Sequence, residues 1–409
     1  MLSHTQVGVG GAALAVLLLC ASTAQADDGD AVLLSPEQAV ALALTVHPDI
    51  RAASAALRTA EGTRSASALF LGNPQANAWA TPDAARAELS VSQPLSLTGE
   101  GWHARRASSA QVRSSEAALS RARRRVAAEV RLTYIDAAVA VGRAAVASEG
   151  AELAARLRFA VTRKHEEGEA STLELRLAHL YEVQAAARLL AARKVEVEAI
   201  RALSAATARP VTASELEDDP IAAAPFVRSD ATTDRADVVA ARDAIDAARA
   251  GLARQQAARW APVRIGAGLS VEDGRTFLGP AMSASVPLFD RNQAGVRSAR
   301  GALSVAEGRL AALEARVEAE QITALERAVE AERITGVLAD KPLDEARAAV
   351  ASIEAGVRAG EIDLSTAVLL AVQVLDGEAA SFTTRGLLAD ARVDLLLSMD
   401  DDRLLGGEL

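Results

Sequence analysis

The chain says the same thing twice, and this repetition constrains its fold more than any other feature. Ser90-Val91-Ser92-Gln93-Pro94-Leu95 is echoed by Ser283-Ala284-Ser285-Val286-Pro287-Leu288. After each proline comes a short polar turn and then a long helical run. Both runs end alike, at Glu167-Gly168-Glu169-Ala170-Ser171-Thr172 and at Ala359-Gly360-Glu361-Ile362-Asp363-Leu364. Pro94 and Gly168 lie 74 positions apart, and Pro287 and Gly360 lie 73 apart. Two landmarks at a shared separation mark an internal duplication.

Each half reads as helix, strand pair, long helix, tight turn, helix. In the first half Ser35 caps and Pro36 opens a helix over 36–67. Strands follow over 75–80 and 86–93, then helices over 102–163 and 172–206. The second half has a helix over 234–258, strands over 263–272 and 276–286, and helices over 292–359 and 364–397. Lys341-Pro342 breaks or kinks the helix over 292–359, because proline removes a hydrogen bond there. At ~1.5 Å per residue the 102–163 helix is a rod of roughly 90 Å, longer than a compact domain can hold. The divisions are a signal peptide at 1–26, structural repeats at 27–209 and 231–400, a connector at 210–230 and a tail at 401–409. Pro220 and Pro225 beside Glu215, Glu217, Asp218 and Asp219 mark the connector.

Composition agrees with rods. Half the residues are apolar but only 3% are aromatic, and alanine supplies nearly half of the apolar share. Alanine is the best helix former and lets neighbouring helices approach closely. The net charge of −10 disfavours a general nucleic-acid binder, which needs a basic face to displace phosphate counterions. At the N-terminus, Gly8 to Cys20 is an apolar run too short to span a bilayer as a helix. Ala24-Gln25-Ala26 has the small-x-small pattern of a signal-peptidase site, although His4 is the only basic group ahead of the run. Cys20, the only cysteine, falls inside this leader, and the bulky Leu19 before it argues against a lipid anchor. No later segment has ~18 continuous apolar residues, so any membrane crossing must use strands.

The strands suit that task. In Val263-Arg264-Ile265-Gly266-Ala267-Gly268-Leu269-Ser270-Val271-Glu272, apolar residues alternate with small or polar ones. Leu89 and Val91 alternate with Glu88, Ser90 and Ser92, and Met282, Ala284 and Val286 with Ser283 and Ser285. Period-two alternation gives one oily and one wet face. Four strands cannot close a membrane barrel, since the smallest use about eight. Open edges are forbidden in lipid, so several copies must share one barrel. Pro280 inside the last strand fits an edge or a bulge.

The rods carry interrupted heptads: Leu303, Leu310, Val317 and Ala324 with Leu313, and Val126, Val130, Tyr134, Ala137 and Val141. Coiled-coil packing follows. At the far ends, Gly168 and Gly360 can take the left-handed conformation that ends a helix. Ser171 caps the next helix, with Glu174 completing a capping box, and Asp363 caps its counterpart. The turns are therefore exposed hairpin tips.

No chemistry-bearing cluster emerges. His47, His103, His165 and His179 are scattered without helical i, i+4 spacing, so no metal site is expected. No nucleophile elbow or phosphate loop appears, and neither cofactor nor enzymatic activity is assigned. Glu314, Glu318 and Glu320 read as a solvated face.

These strings, in this order, resemble the TolC-type outer-membrane efflux family over nearly the whole mature chain. Ser92-Gln93-Pro94-Leu95-Ser96-Leu97-Thr98-Gly99 and Val286-Pro287-Leu288-Phe289-Asp290-Arg291-Asn292-Gln293 look most like its CzcC branch, associated with heavy-metal efflux. The resemblance implies a mainly α fold with a small β part. In a homotrimer, four strands per chain would form a twelve-stranded barrel in outer-membrane lipid, continued by twelve helical rods as a periplasmic tunnel. It implies a passive exit duct served by a periplasmic adaptor and an inner-membrane pump of the RND type. Pro94 and Pro287 would mark the barrel–tunnel junctions. Gly168, Glu169, Ser171, Glu174, Gly360, Glu361, Asp363 and Thr366 would lie at the tips that meet the adaptor, and 210–230 would join an equatorial belt. One departure stands out: acidic residues follow the second tip in well-known members, whereas Thr366 and Leu369 stand six and nine positions after Gly360. Glu174 is the only acid at such a place, so a cation-selective acidic gate is not expected. The alternative to a duct is a periplasmic coiled-coil scaffold that never enters a membrane.

Overall fold

In a computed structural model the described residues are 33–406 except 68–72, 82–85, 96, 217–234, 261, 273, 285 and 338–341. The expected leader, Cys20, Lys341 and most of the connector lie outside them. The element order is α1 (Pro36–Val46), α2 (Pro48–Ser67), β1 (Gln75–Thr81), β2 (Arg86–Leu95), α3 (Glu100–Glu166), α4 (Thr172–Thr207), α5 (Ala236–Ala257), β3 (Val263–Glu272), β4 (Arg275–Ala284), α6 (Gln293–Val337), α7 (Pro342–Ala359) and α8 (Leu364–Met399). The four strands form one antiparallel sheet in the order β1-β2-β3-β4.

One expectation is corrected at the start. The helix expected over 36–67 is two helices, because His47 adopts an extended conformation (φ −61°, ψ 134°) before Pro48. The Pro48 ring crowds the preceding residue out of the helical region, and proline has no N–H to donate back. Ser35 does cap α1, accepting from the Gln38 N–H while the Gln38 side chain accepts from Ser35 N–H. In the second half α6 is described to Val337 and α7 from Pro342, and the expected break ahead of Pro342 falls outside the described residues.

Helix α3 is the spine. Its 67 residues span about 100 Å at ~1.5 Å per residue, and α1, α2, α4, α5, α7 and α8 all touch it. The stripe Val126, Val130, Tyr134 and Ala137 is buried in one apolar cluster with Ala39, Val40, Ala43, Leu203, Val393 and Leu404. A second cluster towards the tips joins Leu153, Leu157 and Val161 to Tyr181, Val357, Leu364, Ala367 and Ala371. Small residues set the spacing. A Cβ on Gly386 of α8 would come within 2.5 Å of Val139 Cγ2 on α3, so only glycine permits this approach. Among the described helices α8 alone is long and apolar enough to cross a membrane. Helices α3, α6 and α7 pack against it, and 33% of its most apolar window is buried.

A polar belt ties both termini of the described chain around the middle of α3. Arg131 is 1% exposed; its Nε donates to Leu404 O at 3.1 Å and its Nη1 to Glu37 Oε1 at 3.3 Å. Tyr134 Oη donates to Leu34 O at 2.6 Å. Arg121 and Arg124 both bind Asp400, at 2.9 and 3.1 Å. Arg235, also buried, reaches Asp237 at 2.7 Å and Glu320 at 2.9 Å. Glu320 is thus no idle member of a solvated face, and Glu314 lies 3.5 Å from Arg242.

Burial strips Arg131 of water and lowers its pKa, while the Glu37 carboxylate beside it favours the charged form. Arg131→Ala should cost on the order of 3 kcal/mol by orphaning buried carbonyls and opening a cavity. Arg125→Ala, removing an exposed pair 3.7 Å from Asp49, should change stability by under about 0.5 kcal/mol. Denaturant midpoints of the two variants test the contrast.

Candidate functional site

Two regions, at opposite ends of the rods, carry the features expected of a functional surface. The first is the sheet. Its register aligns Leu89, Leu269 and Leu278 in one row and Val91 with Ala267 in the next, all on one face. The other face carries Asn77, Ser90, Gly268 and Gly279 in one row and Gln75, Ser92, Gly266 and Ala281 in another. Exposure alternates accordingly: Leu89, Val91, Ile265, Ala267 and Leu269 are exposed, while Ser90, Ser92, Gly266, Gly268 and Ser270 are half-buried. Such alternation leaves the oily face of the two middle strands more open than the wet face. β1 and β4 form the edges, so Pro280 lies in an edge strand, where a missing N–H is tolerated.

The expected junction prolines fall near this sheet's helical end. Pro94 sits in β2 opposite Arg264, and Pro287 lies three positions beyond the end of β4. The turns that follow are built differently in the two halves. Gly99 enters α3 in the left-handed region (φ 74°), whereas Asn292 does so before α6 (φ 56°). An asparagine can hold that conformation at low cost when its side chain is bonded; here Asn292 Nδ2 donates to Gln255 O at 2.9 Å and to Gln255 Oε1 at 2.7 Å.

The second region is the pair of tips. Gly168 (φ 82°) and Gly360 (φ 76°) take the left-handed conformation expected of them. Both end their helices in the same way, with Glu169 N donating to Lys164 O at 2.7 Å and Glu361 N to Gly356 O at 2.9 Å. Ser171 Oγ accepts from Glu174 N at 3.2 Å, and Glu174 Oε2 accepts from Ser171 N at 2.6 Å. Asp363 accepts from Thr366 N at 3.3 Å and from the Ser365 hydroxyl. These bonds favour the ionised carboxylates. Glu174 is held below its usual range by Ser171, and Asp363 is lowered to about 2, first by Ser365 and then by Thr366.

The fold brings the tips together. Ala170 and Ile362 flank the same apolar cluster, and the Asp363 charge is felt at Glu174. Lys164 Nζ donates to Val357 O at 2.9 Å, and Arg156 lies 3.4 Å from Glu354, joining one hairpin to the other. Neither cross-tie is visible in the motifs, because each pairs residues almost two hundred positions apart. Thr366 contributes its backbone N–H to a cap, and Leu369 is exposed. Of the histidines, His165 Nδ1 lies 2.7 Å from Ala170 O inside the first tip, and His179 pairs with Glu182. Among the described residues no three His, Cys, Asp or Glu side chains gather as a metal site.

Midway along the rods lies a group that the motifs did not suggest. Asp390 of α8 is pushed up to about 7, first by burial and then by Asp136 of α3 and Asp394. Burial also raises Asp136 and Asp394, and Arg327 partly offsets this at Asp394.

Two outcomes follow. Ser171→Ala should cost about 1 kcal/mol and speed amide exchange in the first turn of α4. A raised carboxyl pKa favours the fold while the group is neutral, so Asp390 contributes fully below its unfolded value near 4. That contribution is lost as pH rises through about 7. Asp390→Asn should therefore stabilise the protein at pH 8, by on the order of 1–3 kcal/mol, and leave it unchanged below pH 4. Thermal melts across that range read the difference.

No family model and no curated sequence matches the chain. Solved structures do. A membrane protein from Pseudomonas aeruginosa aligns with TM-score 0.75 at 18% identity, covering 92% of each chain. CusC, whose structures concern folding and transmembrane channel formation, aligns with TM-score 0.70 at 14% identity over 90% of this chain and 92% of that one. The open-state MtrE outer membrane channel of Neisseria gonorrhoeae aligns with TM-score 0.66 at 16% identity over 92% and 93%. The chain shares the fold of these proteins over about nine-tenths of its length.

Proposed function

We propose that this chain is the outer-membrane duct of a tripartite efflux system, a passive channel rather than an enzyme. The observation that carries the reading is the four-stranded sheet, oily on one face, wet on the other and open at both edges. In hydrocarbon each open edge leaves backbone donors and acceptors unpaired, so β1 of one copy must meet β4 of another. Three copies would complete a barrel of twelve strands, within the range that membrane barrels use.

The helices support the same closure. Val183, Leu190 and Val197 stand exposed on α4 at seven-residue spacing, and Ile322 and Val329 do so on α6. Heptad stripes without a partner in their own chain fit coiled-coil packing against a neighbouring copy. In this reading 27–209 and 231–400 are the two structural repeats, preceded by a signal peptide at 1–26 and followed by a tail at 401–409. The connector at 210–230 lies at the belt, Pro94 and Pro287 near the junction of barrel and tunnel, and Gly168, Glu169, Ser171, Glu174, Gly360, Glu361, Asp363 and Thr366 at the adaptor-facing tips. An inner-membrane pump of the RND type would select the cargo. Heavy-metal cations as cargo rest on the CzcC-like strings alone.

Fractionation tests the reading. The protein should enter the outer membrane as a heat-resistant trimer, and a deletion strain should become sensitive within a panel of metals and drugs. Leu269→Arg on the oily face should block insertion, since a cation at the bilayer midplane costs about 2–4 kcal/mol. A soluble periplasmic monomer would overturn the duct and favour the scaffold.

A further inference from the structure

Aromatic side chains are scarce in this chain, with three Trp and six Phe, so their placement is informative. Trp102 begins the long helix α3 and Trp260 stands just before β3, both exposed at the helical end of the sheet. An interfacial belt uses tryptophan in this way. Trp79 does not fit that pattern. It lies opposite Glu88, on the face that carries Ser90 and Ser270 and not on the leucine face. Its Nε1 donates to Glu88 Oε2 at 2.8 Å, which fixes the indole on that side. Along the same register Glu88 faces Ser270, and Ser270 faces Phe277. Two rings, 51% and 54% exposed, thus stand on the wet face of each chain.

Their neighbours make the contrast sharper. Towards the helices, the next rows on this face hold only Asn77, Ser90, Gly268, Gly279, Gln75, Ser92, Gly266 and Ala281. Towards the hairpin turns the next row holds Thr81, Arg86, Glu272 and Arg275, with Arg86 paired to Glu272. A girdle aromatic would face lipid. Rings on the opposite face stand between this charged row and the short side chains that line the face towards the helices.

We propose that Trp79 and Phe277 form an aromatic collar inside the barrel lumen, narrowing it near the hairpin ends and presenting an apolar surface to passing solutes. This rests on the duct reading, because the wet face lines a lumen only when copies close the barrel. Glu88 holds the indole in place and sets a carboxylate beside it. An apolar constriction of this kind limits passage through its width and by excluding water.

Fluorescence and conductance test the collar together. In a Trp102→Phe/Trp260→Phe chain reconstituted into liposomes, Trp79 is the sole indole. Aqueous iodide should quench it, and brominated lipid should not. In planar bilayers Trp79→Ala/Phe277→Ala should raise single-channel conductance about 1.5-fold, as lumen substitutions alter the water-filled section. Leu89→Ala/Leu278→Ala, in the neighbouring row of the opposite face, should leave conductance unchanged. Quenching by brominated lipid instead of iodide would overturn the collar, as would a conductance unmoved by loss of both rings. A wild-type protein that never enters liposomes would be recognised separately, as failure of the duct reading on which the collar depends.

Discussion

Helix α3 runs from the sheet to the tip without a break, and its small residues let the other helices approach it closely. The sheet hangs from one end of this rod and the paired turns from the other. Between them, buried arginines on α3 gather the first helix, the start of α5 and the final turn of the described chain. An alanine-rich interface offers little area per residue, so length supplies what bulk does not. That trade explains how a chain with few aromatics can hold a rod of this size in place.

The two ends of the rod face different physical demands. At the sheet, alternation every second residue separates an oily surface from a wet one. At the tips, the demand is to reverse direction sharply. Left-handed glycines end the helices, and ionised caps restart them. The belt between these ends concentrates charge: Arg121, Arg124 and Arg235 meet Asp237, Asp400 and Glu320, so few of these charges stand alone. Asp390 is an exception, a carboxyl whose burial and acidic neighbours favour the neutral form.

Much of this was legible before any coordinates. Strand alternation located the sheet because each side chain has only two faces to choose from. The seven-residue seam of Leu303, Leu310, Leu313 and Val317 does mark the more covered side of α6. Ser171 with Glu174 announced a capping box that forms as written. Other features were misread or unseen. Pro48 lay in plain view, yet the apolar pattern runs through it and disguised two helices as one. Glu320 looked like one more surface acid, because its partner Arg235 is 85 positions away. The tie from Lys164 to Val357 depends on one hairpin lying beside the other, which no local pattern encodes.

Local interactions account for that division. The duplication, the strand periodicity, the helix caps and the tip glycines each act within a few residues, so the sequence by itself determined them. It also determined that one copy has too few strands to close a barrel. Only the tertiary structure decided which residues share a row across the sheet, which carboxyls are buried together and which arginines reach across the belt. Those outcomes depend on how distant helices pack around α3, where close approach sets both dielectric and charge. For the same reason only the fold placed Trp79 and Phe277 on the wet face, in a register set by pairing between strands rather than by either strand alone.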